Sequence, residues 1–253
     1  MPDKTSYAPG EPTWCDLSSP DTDASAAFYG ALLGWTATER RPEFGGYRRF
    51  QKDAKDVAGL GEIMAPEQQP AWTCYISVDD AQKYATIAAE HGGTVMGGPH
   101  EVGDLGVLTV IADPGGAIFG TWQPKQMTGA QVVFEEGAHT WTELSTRDQG
   151  VAQPFYRALF AWEPQTSPDY TEFQLAGTSV AGCMDMPETV PDFVPSFWMP
   201  YFGSADPAEQ AQQAADLGAV VMVPSMDFPG GTFSVVRDPH GCAFGLLRMN
   251  ETG

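Results

Sequence analysis

The chain has 253 residues, with 13 Lys or Arg against 33 Asp or Glu and a formal net charge of −20. Because binding to a phosphate backbone needs a basic surface, this balance argues against a nucleic-acid partner. The sequence holds no apolar run near the roughly 18 residues of a membrane helix and no basic-then-apolar N-terminus typical of a secretion signal, so we expect a cytoplasmic protein without a membrane partner.

The first predicted unit is a strand, a helix and further strands. Its opening strand contains Trp14, and an aspartate at Asp21 or Asp23 can cap the helix that follows. Apolar residues recur at helical spacing until Gly34, a residue type that ends helices. Residues 47–64 then alternate between β-rich segments and turns, so the unit reads β-α-β-β-β.

The second predicted unit has the same order. A strand with Trp72 leads to a helix that begins at Asp79 or Asp80 and stops at the glycine pair of residues 92–93. Two β-rich segments, GVLTVIAD and AIFGTWQ, follow within residues 106–123, separated by a turn. The pattern then breaks between Pro124 and Gly137, which indicates the link to the second half.

The second half of the chain repeats the first. Residues 12–21 match residues 139–148 at an offset of 127 (139 − 12), and four other pairs of segments follow in the same order. These are FYGALLGW with FYRALFAW, VAGLGEIM with VAGCMDM, AWTCYISVDD with FWMPYFGSAD, and DPGGAIFG with DPHGCAFG. The repeat predicts two domains, residues 1–126 and 127–253, each large enough to bury its own core. Antiparallel strands separated by single helices place both domains in the α+β class.

The four cysteines lie far apart in the sequence, at Cys15, Cys74, Cys183 and Cys242. None of them belongs to a CxxC pair, the spacing typical of zinc sites, and nothing in their arrangement marks a disulfide framework. We therefore expect buried, reduced thiols.

Several of these motifs carry a family resemblance. SSPDTDASAAFYGALLGW, VAGL, SVDD followed by a helix, and DPGGAIFG occur in order and twice over. Together they resemble the vicinal-oxygen-chelate (glyoxalase/bleomycin resistance/dioxygenase) superfamily across nearly the whole chain. They are most similar to its two-domain actinobacterial branch, which includes mycobacterial antigens and polyketide-pathway hydroxylases. The resemblance implies four βαβββ modules in two tandem domains, each a cupped antiparallel sheet with the ligand inside the cup.

The resemblance also locates the metal positions. In metal-dependent members, a histidine opens the first strand of each of two modules, seven residues before an aspartate, and a glutamate lies on the last strand. Tryptophan and glycine take those places here, in the sets Trp14/Trp72/Gly120 and Trp141/Trp198/Gly245. Trp198 is assigned by its YF context, since the seven-residue spacing is looser there. An indole offers only an N–H donor and glycine has no side chain, so we expect neither a metal ion nor another cofactor. The four histidines supply no alternative ligand set, because they lie at a helix end, in a loop, before a strand and in a turn: His91, His100, His139 and His240.

Strand alternation gives the side chains expected to face the cups. The predicted ligand-binding residues are Trp14, Trp72, Cys74, Ile118, Gly120, Trp122, Trp141, Trp198, Phe202 and Gly245. Broad indoles beside a gap at glycine describe a pocket for a flat aromatic ligand. The alternative is that the tryptophans simply fill a closed cup. Two carboxylates, Asp16 and Glu143, share the inward face; each is either a general base or a hydrogen-bond acceptor.

Three functions remain open at this point. The first is a monomeric or homodimeric protein that binds an aromatic small molecule, polyketide or antibiotic-like, for resistance or carriage. The second is a cofactor-free tailoring enzyme of hydroxylase, cyclase or isomerase type, with Asp16 or Glu143 as the base. The third is a structural or signalling role through the surface, which predicts closed cups. The pairing of the modules and the number of working cups are also open.

Overall fold

The structure, a computed structural model, describes residues 3–63, 65, 68–168, 170–188 and 190–250. Within those residues the order β-α-β-β-β occurs four times. The strands are β1 (Pro12–Ser19), β2 (Thr36–Ala37), β3 (Arg48–Lys52), β4 (Lys55–Glu62), β5 (Ala71–Ser77), β6 (Thr94–Val102), β7 (Gly106–Ala112), β8 (Ile118–Pro124), β9 (His139–Thr146), β10 (Glu163–Thr166), β11 (Thr171–Leu175), β12 (Thr178–Asp185), β13 (Phe197–Gly203), β14 (Val220–Phe228), β15 (Gly231–Arg237) and β16 (Ala243–Met249). The helices are α1 (Thr22–Leu33), α2 (Ala81–Glu90), α3 (Gln149–Phe160) and α4 (Pro207–Asp216), with a short 3-10 helix at Pro42–Phe44.

Each half of the chain forms one eight-stranded sheet, and the two sheets have the same strand order. The first runs β2-β3-β4-β1-β5-β8-β7-β6, so adjacent modules pair within each half. Both sheets are mixed, because β4 pairs parallel with β1 and β8 pairs parallel with β5. The fold is therefore α+β, with four βαβββ modules in two tandem domains. The predicted boundary between residues 126 and 127 falls in the segment that connects the sheets.

The α-helices begin where an aspartate can cap them. Each capping side chain accepts hydrogen bonds from backbone N–H groups of the first turn; the caps are Asp21, Asp80, Asp148 and Asp206. Helix α1 ends at Gly34, whose φ of 71° suits glycine. Helices α1 and α3 have 12 residues each, and no helix in the described ranges is long and apolar enough to cross a membrane.

The two sheets pack against each other through their helix-bearing faces. Helix α1 contacts α4, and α2 contacts α3, across the boundary between the domains. Aromatic rings from both domains meet there: the ring centroids of Trp35 and Trp72 lie 5.0 and 5.2 Å from that of Phe202. The result is one continuous apolar core that spans both domains. The opposite face of each sheet lines a separate cup.

Two buried hydrogen-bond chains also cross the domain boundary. In each, an indole N–H donates to a tyrosine hydroxyl, which donates to the carboxylate of the other domain's Asp-Pro turn; the chains are Trp72–Tyr29–Asp238 and Trp198–Tyr156–Asp113. Their four distances lie between 2.8 and 3.0 Å. Because each chain satisfies buried polar groups from both domains, the domains are joined by more than apolar packing.

All four cysteines are buried and free, as predicted. Cys15 and Cys74 lie opposite each other on β1 and β5. Burial, together with the neighbouring Asp185, raises the pKa of Cys183 to about 12. A thiol held in that form is a packing group rather than a nucleophile.

Candidate functional site

A carboxylate with two aromatic donors forms the floor of the first cup. The hydroxyl of Tyr47 and the indole N–H of Trp14 each lie 2.6 Å from Oδ1 of Asp16 and donate to it. The indole N–H also lies 3.1 Å from the Tyr47 hydroxyl oxygen. The neighbouring residue on β4 is Gly59, where a Cβ would overlap with both Asp16 and Tyr47. The cluster therefore needs glycine at that position.

The second cup repeats this cluster with glutamate. The hydroxyls of Tyr170 and Tyr201 donate to Oε2 and Oε1 of Glu143 at 2.8 and 2.9 Å. The indole N–H of Trp141 donates to the Tyr170 hydroxyl oxygen at 2.9 Å. A Cβ at Gly182 on β12 would overlap with the Tyr170 hydroxyl. A tryptophan, a carboxylate, a tyrosine and a glycine thus recur at matching places in both domains.

The carboxyl groups of the two clusters have raised pKa values. For Asp16 and Glu143 the largest cause is burial, which disfavours the charged form. Hydrogen bonds from the tyrosine hydroxyls, and from the indole in the first cup, act in the opposite direction without cancelling it. A carboxyl group with a raised pKa is suited to exchanging a proton nearer to neutral pH.

The structure places many of the predicted site residues on the cup side of the sheets. In the first domain, Trp14 and Trp122 belong to the apolar cluster of the cup, with Asp16 beside them. Gly120 lies next to the ring of Tyr75, which occupies the space that a side chain would fill. Ile118, on the same face of β8, is exposed at the rim.

The second domain has the same arrangement. Trp141 and Glu143 face the cup from β9, and Gly245 lies under the ring of Tyr201. The role of these cup-facing residues in ligand binding remains a prediction.

Four predicted pocket residues lie on the opposite face, in the core between the domains: Trp72, Cys74, Trp198 and Phe202. The prediction that they line the cups is wrong. For Trp72 the origin is a one-residue error in register, because α2 is capped by Asp80 and not by Asp79. Trp198, assigned from its YF context, has the same error, because it lies eight residues before the cap Asp206. In a strand, a shift of one residue moves every side chain to the other face.

Counting seven residues back from the observed caps corrects the ligand positions. The caps Asp80 and Asp206 give Thr73 and Met199 in place of the two tryptophans. The corrected sets are therefore Trp14/Thr73/Gly120 and Trp141/Met199/Gly245. An indole, a hydroxyl or thioether and a glycine do not make the set of imidazole and carboxylate ligands that a divalent ion needs. Among the described residues, no three His, Cys, Asp or Glu side chains cluster as metal ligands.

Sequence reasoning missed the tyrosines of the clusters. Tyr75 and Tyr201 occupy the same place in the matching segments AWTCYIS and FWMPYFG. Tyr47 and Tyr170 each come directly before the second strand that follows the first helix of their domain, β3 and β11. A search for polar aromatic residues conserved between the two halves of this one chain would have found all four. The search for metal ligands directed attention to the tryptophans instead.

Residues 125–131, here called the strap, cross one end of the first cup. The indole N–H of Trp122 donates to the carbonyl of Met127 at 2.7 Å, and the backbone N–H of Ala130 donates to the carbonyl of Thr13 at 2.9 Å. The backbone N–H of Gln131, the last residue of the strap, donates to the carbonyl of Asp56 on β4 at 2.8 Å. Ala130 is buried against the aromatic cluster of the cup, so the strap closes this end.

The tryptophan of the second cup is more exposed than that of the first. Trp141 is half-buried, whereas Trp14 is only 5% exposed. The hydroxyl of Tyr7, seven residues before Trp14, donates to the carbonyl of Ala130 at 2.7 Å. Its counterpart Phe134, seven residues before Trp141, is exposed. Among the residues that the structure describes, no segment is tied across the second cup by backbone hydrogen bonds of this kind.

Two surface pockets lie outside the cups. One, of about 590 Å³, is lined by α2 and the start of β6. The other, of about 380 Å³, lies between α1 and the Asp-Pro turn that contains His240. Neither is lined by a residue of the carboxylate clusters, so neither is the predicted site.

Comparisons with known families, proteins and structures all point to the same superfamily. The family model described as Glyoxalase/Bleomycin resistance protein/Dioxygenase superfamily matches residues 12–120. Anthracycline biosynthesis protein DauV of Streptomyces sp. (strain C5) is 35% identical over 269 residues, covering 98% of this chain and 96% of DauV. Putative glyoxylase CFP32 of Mycobacterium bovis is 34% identical over 259 residues, covering 98% of each chain. The structure of the Mn(II)-bound glyoxalase from Novosphingobium aromaticivorans superposes on this chain with a TM-score of 0.67 at 14% identity. The superposition covers 94% of this chain and 82% of that chain, so the two proteins share a fold.

Proposed function

Because this chain belongs to the glyoxalase/bleomycin resistance/dioxygenase superfamily, we propose that it holds a flat aromatic small molecule in a cup, without a metal ion, for resistance or carriage. The observation that carries the proposal is the carboxylate cluster on the cup floor. At the positions where metal-dependent relatives of this fold are expected to place ligands, the second domain has an indole, a thioether and a glycine, and beside that indole lie two phenols and a buried carboxylate. Such groups hydrogen-bond an organic ligand and do not assemble a metal centre.

The surroundings of the cluster support an aromatic ligand. In the second cup, Trp141, Phe197 and Phe233 are half-buried around the tyrosines. Ring faces favour offset stacking on other rings, by about 0.5–1.5 kcal/mol beyond the burial of area. The relatives named for anthracycline biosynthesis point to the same class of compound, since anthracyclines are aromatic polyketides. We therefore propose a polyketide-like ligand with hydroxyl or carbonyl groups.

A tailoring enzyme is the second candidate, and the raised pKa of the cup carboxyl groups favours it. In such a reaction Glu143 or Asp16 would take a proton from a phenol or an acidic C–H of the substrate. The same carboxyl group would then return that proton at another carbon or oxygen, which gives an isomerisation or cyclisation without a redox partner. This step needs no group beyond the carboxylate and the tyrosines that hold it.

One titration separates these candidates. Purified protein is mixed with 1,8-dihydroxyanthraquinone, a flat probe with adjacent hydroxyl and carbonyl groups, with and without EDTA, while tryptophan fluorescence is followed. Saturable quenching that EDTA does not change, with the probe recovered unaltered by mass spectrometry, is the expected result. The same titration with a panel of aromatic polyketides would favour the enzyme if a new mass or isomer appeared. Absence of quenching by every compound would favour a role through the surface and contradict the proposal.

We also propose that the protein acts in the cytoplasm as a monomer or homodimer and binds no nucleic acid. The net charge of −20 supports the last point. Size-exclusion chromatography with light scattering would test the oligomeric state, and a mass above that of a dimer would contradict it.

A further inference from the structure

Resting on the proposed function, we infer that the second cup alone is the ligand site and that a flat aromatic molecule enters it past β14. Three features carry the inference: the closure of the first cup, a row of aromatic rings that leads out of the second, and the apolar edge strand beside that row.

The first cup is filled by its own chain. Trp122 packs with Trp14 and Tyr75, and its indole N–H is bonded to the strap. The matching place in the second cup, two residues after Gly245, holds Leu247. Leucine is smaller than tryptophan and has no N–H to anchor a crossing segment. The sheet position that anchors the strap in the first cup therefore has no anchoring donor in the second.

A row of aromatic rings connects the carboxylate of the second cup to solvent. The hydroxyl of Tyr201 donates to Glu143, and the Tyr201 ring centroid lies 6.3 Å from that of Phe233. The centroid of Phe233 lies 6.1 Å from that of Phe228, which is 37% exposed at the end of β14. A flat ligand can stack on these rings in succession between the surface and the carboxylate.

The edge strand β14 leaves apolar side chains in water beside this row. Met226 is 52% exposed and lies opposite Phe233 in the β14–β15 pair, so both side chains point to the cup side. An exposed apolar patch next to a cup marks a binding surface. A second copy of the chain would pair along the β14 backbone and would not reach the polar floor at Glu143. A small molecule with a hydroxyl or carbonyl group reaches both the patch and the floor.

The test is equilibrium dialysis of the full chain against 1,8-dihydroxyanthraquinone. We expect the parent protein to bind the probe and the double variant Met226→Ser/Phe228→Ser to bind it about tenfold or more weakly, a change of about 1.4 kcal/mol. Both side chains are exposed, so the variant is expected to keep its fold, which circular dichroism would check. The matched control is Met96→Ser, on the equivalent edge strand β6 of the first domain, where the side chain is 58% exposed. This control should bind as the parent does.

The possible outcomes separate the inference from the proposed function. Binding that survives the double variant, or that falls in Met96→Ser, would overturn the second cup as the site and leave the proposed function intact. Absence of binding to the parent protein would overturn both. A dimer that the double variant dissociates and the probe does not displace would assign β14 to a second copy of the chain, which also overturns the inference.

Discussion

Replacing Tyr29 with Phe removes one hydroxyl from the boundary between the domains. In the parent protein that hydroxyl accepts from the indole N–H of Trp72 at 3.0 Å and donates to Oδ2 of Asp238 at 2.9 Å. Tyr29 is fully buried, so water cannot replace the lost group. The variant therefore leaves a buried N–H without a partner and removes one donor from a buried carboxylate.

The expected cost follows from these two losses. An unsatisfied buried donor costs about 1–3 kcal/mol, and a hydrogen bond to a charged group contributes about 1.5–3 kcal/mol. The second loss falls at the low end because Asp238 keeps the backbone N–H groups of His240 and Cys242. We expect Tyr29→Phe to lower the free energy of unfolding by about 3–4 kcal/mol. That is a large part of the roughly 5–15 kcal/mol that stabilises most proteins.

Urea unfolding, followed by circular dichroism and by tryptophan fluorescence, would measure the change for Tyr29→Phe. Because the core is continuous across both domains, the two signals should shift together. Tyr84→Phe is the matched control: Tyr84 packs on Phe160, and its hydroxyl makes no hydrogen bond to any described residue. A loss below about 0.5 kcal/mol in Tyr29→Phe, the size of an ordinary surface change, or equal losses in both variants would refute the reasoning.

The cups give three further expectations. Burial raises the pKa of Glu143, so its contribution to stability is present below the ordinary carboxyl pKa and is lost as pH rises through the folded value. Glu143→Gln should therefore gain stability relative to the parent as pH rises above the ordinary carboxyl pKa, measured by urea unfolding; a difference that does not change with pH would contradict the shift. Gly59→Ala should displace Tyr47 and cost about 1–3 kcal/mol of unfolding free energy, whereas Gly61→Ala, with its nearest contact at 3.7 Å, should not; equal effects would count against the cluster. EDTA should leave the melting temperature unchanged, and a clear fall would revive a metal site.

The duplication and the fold could be predicted because their signals are local and occur twice. Capping positions before each helix, glycine after α1 and alternating strands repeat at a nearly constant offset. Each copy therefore tests the other, and the order β-α-β-β-β follows from either. The family resemblance rests on the same repeated segments.

The cup-facing side chains of β1 and β9 were predicted on the correct face. The candidate caps before α1, Asp21 and Asp23, lie two residues apart, so either gives the same face of β1. Trp14 and Trp141 face the cups as expected. Before α2, two adjacent aspartates compete for the cap, and the wrong choice turned Trp72 to the wrong face. A single sequence does not contain the energy difference between two neighbouring caps, which depends on how the helix packs.

Contacts between distant segments lay beyond the sequence altogether. The strap falls in a stretch where the repeat pattern breaks, so it reads only as a link between domains. Its function depends on the bond from Ala130 to Thr13, over a hundred residues away. The buried hydrogen-bond chains at the domain boundary could not be predicted for the same reason, since they join residues of different domains. Such contacts arise only when both sheets are in place.

The most direct test of the account is an NMR titration of the indole N–H groups. The chain has 7 tryptophans, and each gives one ¹H–¹⁵N indole signal that a single Trp→Phe variant would assign. On addition of 1,8-dihydroxyanthraquinone, we predict a saturable shift of the Trp141 signal, with those of Trp72 and Trp198 nearly unmoved in the core. Binding that leaves Trp141 unmoved and shifts Trp72 or Trp198, or no shift in any signal, would contradict the account.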